Sequence, residues 1–197
     1  MQIVLASASP RRAELLKKMG LDFRVQVAEI EETFIPDQNL EEQIEALALR
    51  KARAVADTLS SGLVIGADTV VVIDEEVLGK PDSPEQAVLM LSRLSNRIHR
   101  VLTGLAVIDV ENGQVLSGVE TTRVQFRLLS RDEIIAYVQT GEPLDKAGAY
   151  GIQEKGATLV EKIEGCYFNV VGLPVARTVG MLKQAGLEVH QVWNRPV

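Results

Sequence analysis

The sequence predicts an α/β protein built on a mixed β-sheet flanked by helices. Three observations predict it. Short apolar runs and amphipathic helical repeats intermix along the whole chain, the pattern of helices layered on a sheet. Several helical repeats open on recognisable cap residues. A long stretch of mainly β character over 101–127 argues against a sheet that is parallel throughout.

Taken in order, residues 3–6 read as a short buried strand. A helix over 10–19 follows, with Ser9 as N-cap, Pro10 at the first helical position and Gly20 as the C-terminal stop. Residues 23–27 alternate apolar and polar, as a half-buried strand does. Beyond the acidic Glu29, Glu31 and Glu32, residues Leu40, Ile44, Leu47, Ala48, Val55 and Leu59 recur at helical spacing and define one long amphipathic helix. Residues 63–66 and 70–73 are apolar strand runs separated by Gly66-Ala67-Asp68-Thr69, and Asp74-Glu75 makes a turn. A helix over 84–94 opens on the capping box Ser83-Pro84-Glu85-Gln86. Glu111-Asn112-Gly113 is the hairpin turn of the long β stretch. Ser130-Arg131-Asp132-Glu133 is a second capping box, opening a helix that Gly141 closes. A glycine-punctuated segment over 141–156 leads to strands at 158–163 and 167–171, with Glu164-Gly165 as the turn between them. Pro174 starts a last helix and Gly186 ends it.

The bulk properties narrow the function. With 197 residues, 46% of them hydrophobic, the chain suits one domain, or one two-lobed domain, that buries a core without disulfides. A net charge of −6 and few aromatics make it a poor nucleic-acid binder. Cys166 is the sole cysteine, which excludes a disulfide framework and a cysteine-rich zinc site within one chain; it reads as packed in an apolar strand. No apolar run reaches the ~18 residues of a membrane span. The apolar start stops at Ser7, too early for a secretory segment, so the expectation is a cytoplasmic protein.

Five places could carry chemistry. Arg11 and Arg12 lie in a first helical turn, where the helix dipole favours anions over cations. The arrangement makes sense if an anion sits there, held by backbone N–H groups, the Ser9 hydroxyl and two guanidinium forks. A capped surface helix with solvated arginines fits the local pattern equally well. Asp68 interrupts apolar strand sequence; it is either at a strand end, a frequent active-site position, or costly to bury, and a turn aspartate is the bland reading. Lys80, in Gly79-Lys80-Pro81, could neutralise a phosphate or be a solvated loop lysine. The carboxylates from Glu29 to Glu32 could hold Mg²⁺ or Mn²⁺ through oxygens, or form an acidic surface loop. In the segment 146–153 the glycines permit close approach to a ligand, and Tyr150 and Gln153 could stack on or hydrogen-bond to a base. His99 and His190 are not spaced as a metal pair, and Trp193 reads as packing the tail down.

The order of these features is more specific than any one of them. Ala6-Ser7-Ala8-Ser9-Pro10-Arg11-Arg12, Glu31-Glu32, Lys51-Ala52 and Gly66-Ala67-Asp68-Thr69 resemble the Maf family of nucleotide pyrophosphatases. So do Gly79-Lys80-Pro81, the run from Gly141-Glu142-Pro143 through Gly151-Ile152-Gln153, and Val171-Gly172-Leu173-Pro174. The resemblance implies a curved mixed sheet in a two-lobed α/β domain around a nucleotide cleft, similar to inosine triphosphatases. It implies hydrolysis of a nucleoside triphosphate to the monophosphate and pyrophosphate with a divalent metal, Mg²⁺ or Mn²⁺, in a homodimer. Arg11, Thr69 and Gln153 agree with the dTTP/UTP branch, where the 7-methyl-GTP branch typically has Trp, Gln and Glu. By the same resemblance, Asp68 is the proton acceptor or a metal ligand. Ser9, Arg11, Arg12, Lys51 and Lys80 bind the triphosphate, Glu32 is the further metal ligand, and Thr69 and Gln153 read the base. A nucleotide-binding regulator of cell division without catalysis is the alternative the sequence leaves open.

Overall fold

The first strand, β1 (Ile3–Leu5), is buried along its length and pairs in parallel with two neighbours, β2 (Arg24–Val25) and β3 (Leu63–Ile73). The structure, a computed structural model, describes residues 2–27, 29–31, 33–35 and 38–193. The remaining strands are β4 (Glu76–Leu78), β5 (Ile98–Asp109), β6 (Gln114–Phe126) and β7 (Val160–Glu164). Their hydrogen-bonded order is β2-β1-β3-β5-β6-β7, with β4 also on β3. The β3–β4 and β6–β7 pairs are antiparallel, so the sheet is mixed, as the sequence predicts. The helices are α1 (Pro10–Lys18), α2 (Leu40–Ala56), α3 (Pro84–Leu94), α4 (Arg131–Gln139), α5 (Tyr167–Val171), α6 (Val175–Gln184) and α7 (Val189–Val192).

The cap signals place the helices well. The hydroxyls of Ser9, Ser83 and Ser130 each accept the backbone N–H three residues on. At Ser130 the box is reciprocal, since Glu133 accepts the Ser130 N–H at 2.8 Å. At Ser83 it is not: the Gln86 side chain reaches past the cap and accepts from the N–H of Asp82.

Four expectations need correction. The strand expected at 23–27 contracts to two exposed residues, because β2 is an edge strand that meets only β1. The two runs around Gly66 to Thr69 are one unbroken strand, β3, so Asp68 lies inside a strand and not at its end. The strand expected at 167–171 is the helix α5. There the Asn169 amide donates to the Val101 carbonyl and to Thr122 Oγ1, both at 3.0 Å, and this docking overrides the β preference of the flanking Tyr, Phe and Val. Cys166 accordingly sits in a half-buried turn before α5, with its N–H donated to Thr122 Oγ1. Finally, α7 follows what the sequence reads as the last helix.

The chain forms two compact units. One comprises Met1–Asp68, Thr103–Glu120 and Gly172–Val197, the other Thr69–Leu102 and Thr121–Val171. In the first, Val4, Val64, Ala106 and Ile108 of the strands, with Ala6 just beyond β1, pack with Ala48, Ala52, Val55 and Ala56 of α2. In the second, α3 packs on α4, and Phe126, His99 and Tyr150 form a buried cluster of edge-to-face rings.

Candidate active site

In the first unit, small residues bring α2 hard against β3 and β5. A Cβ on Gly66 would lie 2.5 Å from the Ala48 carbonyl oxygen and 2.9 Å from Ala52 Cβ. One on Gly104 would lie 2.3 Å from the Ile44 carbonyl oxygen. Only glycine permits that approach. One consequence is chemical. Lys51 stands on the helix beside Ala52, and Asp68 stands two residues along β3 from Gly66, on the same face of the strand. Lys51 Nζ donates to Asp68 Oδ1 at 2.6 Å, with both side chains largely buried. The pairing explains how a carboxylate is tolerated within a strand: its charge is met by a cation and a hydrogen bond. Lys51, expected at the triphosphate, is thus found against the expected proton acceptor.

The turn between β1 and α1 is built around Ser7. Its hydroxyl accepts from the Ser9 N–H at 3.3 Å and from Arg12 Nη1 at 2.9 Å. Arg12 is buried, and its Nε donates to the Gly172 carbonyl at 2.8 Å. Gly172 itself has φ 121, a value an L side chain rarely adopts. One of the two forks expected on phosphate is therefore turned inward, tying the turn to the segment before α6. Arg11 is half-buried and Ser9 caps α1, both on the rim of the same turn. Neither Ser7 nor Gly172 stands out in the sequence as an organiser; both lie in the motifs that carry the resemblance.

In the second unit, Thr69 and Val71 share the face of β3 opposite to Asp68. The 146–149 turn packs on that face. Gly148, at φ 67, would place a Cβ 2.9 Å from the Val71 side chain, and its N–H donates to the Gly79 carbonyl at 3.0 Å. The turn before Gln153 is thus tied to the loop before the exposed Lys80 and to the face of β3 that Thr69 shares with Val71. Tyr150 differs from expectation. It is buried, its hydroxyl is bonded to His99 Nε2 at 2.9 Å, and it serves the core instead of stacking on a base.

Among the described residues no three His, Cys, Asp or Glu side chains gather as metal ligands. Glu32 lies outside the described residues. No helix among the described residues is long and apolar enough to cross a membrane.

The family model described as Maf-like protein matches residues 2–185. A dTTP/UTP pyrophosphatase of Moorella thermoacetica is 53% identical over 194 residues, covering 98% of each chain. One of the same name from Desulforamulus reducens is 49% identical over 187 residues, covering 95% of this chain and 98% of that one. Among solved structures, the Staphylococcus aureus Ham1 protein superposes with a TM-score of 0.51 at 19% identity, covering 96% of this chain and all of the other, a likeness of fold alone.

Proposed function

Because the chain belongs to the family of Maf-like proteins, its match spanning residues 2–185, we propose that it is a nucleoside triphosphate pyrophosphatase. It hydrolyses dTTP and UTP between the α and β phosphates, releasing the monophosphate and pyrophosphate. The observation that carries this reading is the buried Lys51–Asp68 pair, seated by Gly66 on the face that α2 covers. Relatives at about half identity that bear the name dTTP/UTP pyrophosphatase supply the substrate class.

Asp68 takes a proton from the attacking water, and Lys51 Nζ, 2.6 Å from its Oδ1, holds the carboxyl group in place. Ser9, Arg11 and Lys80 bind phosphate oxygens, with Lys51 and Arg12 adding positive potential where charge builds in the transition state. Thr69 and Gln153 read the base edge: a pyrimidine with a 4-keto group and an N3–H needs both a donor and an acceptor, which an amide supplies. A hard divalent cation, Mg²⁺ or Mn²⁺, fits the donor chemistry, since such ions take one or two carboxylates and complete their shell with substrate phosphates and water. Asp68 and Glu32 would hold it, and it would neutralise charge on the phosphates. The enzyme acts on the cytoplasmic nucleotide pool, as a homodimer.

One screen tests the reading: purified protein with canonical and modified nucleoside triphosphates, in Mg²⁺ and in Mn²⁺, with pyrophosphate and orthophosphate measured separately. Pyrophosphate from dTTP and UTP supports it. Orthophosphate alone, or bound nucleotide without turnover at either metal, overturns it. Light scattering of the same sample checks the dimer.

A further inference from the structure

The segment that carries Gln153 is closed on itself by one buried carboxylate. Glu142, from the short 3₁₀ turn Glu142–Asp145, is 9% exposed. Its Oε1 accepts from the Tyr137 hydroxyl at 2.9 Å and from the Gly156 N–H at 3.1 Å. Its Oε2 accepts from the Lys155 N–H at 3.1 Å. The Tyr137 hydroxyl in turn accepts from the Gly151 N–H at 3.1 Å. Three backbone amides thus converge on one carboxylate–phenol pair, and they lie on both sides of Gln153.

The packing leaves this turn little freedom. A Cβ on Gly156 would lie 2.3 Å from the Gly151 carbonyl oxygen and 2.6 Å from Tyr137 Oη. A Cβ on Gly151 would strike the Lys146 stem at 2.6 Å. Lys146 lies across Gly151 because its Nζ is held by the Glu142 carbonyl at 2.6 Å and by Asp145 at 2.7 Å. Both glycines are spaces that the network fills. A buried carboxylate with three donors is satisfied, and losing it would orphan three buried or half-buried donors together.

We infer that Glu142, acting with Tyr137, is a positioning residue that sets how Gln153 is presented to the nucleobase, so that the preference for pyrimidines depends on it. This rests on the reading of Gln153 as the base-reading amide. Discrimination between bases depends on the angle and distance of a few hydrogen bonds, and those fail with sub-ångström displacements of the group that makes them. A turn anchored at Gly151 on one side and at Lys155 and Gly156 on the other moves as a unit with its anchor.

The test compares wild type, Glu142→Gln, Tyr137→Phe, Gln153→Ala and the double variant Glu142→Gln/Gln153→Ala. Two quantities are read: the ratio of kcat/KM for dTTP to that for GTP, and amide hydrogen exchange at Gly151, Lys155 and Gly156. Glu142→Gln is expected to speed exchange at those amides and lower the ratio by about tenfold, the worth of roughly one hydrogen bond. The fall is carried by a raised KM for dTTP, and the substitution has no further effect on the ratio in the Gln153→Ala background. Tyr137→Phe keeps the carboxylate and shifts both quantities in the same direction by less; it carries the test if Glu142→Gln does not fold. An unchanged ratio in both variants, while Gln153→Ala lowers it, overturns the inference and reduces the network to a scaffold. A ratio unmoved by Gln153→Ala overturns it by removing its premise. The exchange data separate the failures, since amides that stay protected in Glu142→Gln place the fault in the network.

Discussion

Lys51 Nζ and Asp68 Oδ1 lie 2.6 Å apart, with 14% and 11% of the two side chains exposed. In a pair so poorly hydrated, removing either partner leaves the other costly. It also joins a helix to a strand at the point where the proposed chemistry occurs.

Asp68→Asn is expected to lower kcat by at least about a hundredfold, the ordinary worth of a positioned proton acceptor. Binding of a non-hydrolysable dTTP analogue should persist. Pyrophosphate release and equilibrium binding measure the two effects, and wild-type turnover would remove Asp68 from the reaction.

Lys51→Met should destabilise the protein by about 3 kcal/mol, because it strands a buried carboxylate. Adding Asp68→Asn should recover part of that loss, since no charge is then left unpaired. Urea unfolding of both single variants and the double gives the coupling; additive losses would mean that the pair is not coupled.

Gly66→Ala should cost roughly 1–3 kcal/mol through forced displacement of α2, whose Ala48 carbonyl occupies the space a methyl needs. Activity should fall by more than stability explains, because Lys51 rides on that helix. Thermal melting beside kcat/KM at a temperature where the variant is folded tests this.

His99 supplies a pH dependence. Burial lowers its pKa from 6.5 to about 4, and its Nδ1 has no hydrogen-bond partner among the described residues. The folded state therefore keeps the ring neutral while the unfolded chain protonates it near 6.5. Stability from this residue is complete above pH 6.5 and is lost progressively down to about pH 4, by on the order of 3 kcal/mol. Urea unfolding from pH 7 to 4 in wild type and His99→Gln isolates it, and parallel profiles would refute the assignment.

Gln153→Glu should weaken turnover of dTTP and UTP, because a carboxylate offers only acceptors to a base edge that needs both partners. An unchanged substrate profile would rule out base reading by this residue.

Much of this was legible in the residues. The three serine caps mark helix starts because the cap is a local bond that tertiary packing does not override. The sequence suggests a break at Gly66 to Thr69 where the strand is continuous, because glycine in a strand means either a bend or a close neighbour, and here α2 is the neighbour. Helix α5 was hidden by Tyr, Phe and Val, whose strand preference loses to the bonds of Asn169 with Val101 and Thr122, far away in sequence. Lys51 and Asp68 are each expected in the site from the sequence, but their pairing is not, since it arises only when α2 settles on β3. The same holds for Glu142: its motif was visible, while its three donors come from folding of the loop after it.

The seating of α2 has a last consequence. Backbone atoms at Ala48 and Ile44, not interlocking side chains, set its distance from β3 and β5. In a library randomised at positions 48, 52, 66 and 104, functional survivors should be confined to glycine at 66 and 104, and to glycine, alanine and serine at 48 and 52. Positions on the opposite, solvent-facing side of the same helix should accept almost any residue. The enzyme's tolerance to mutation would then trace the contact stripe itself, separating the residues that space the helix from those that merely belong to it.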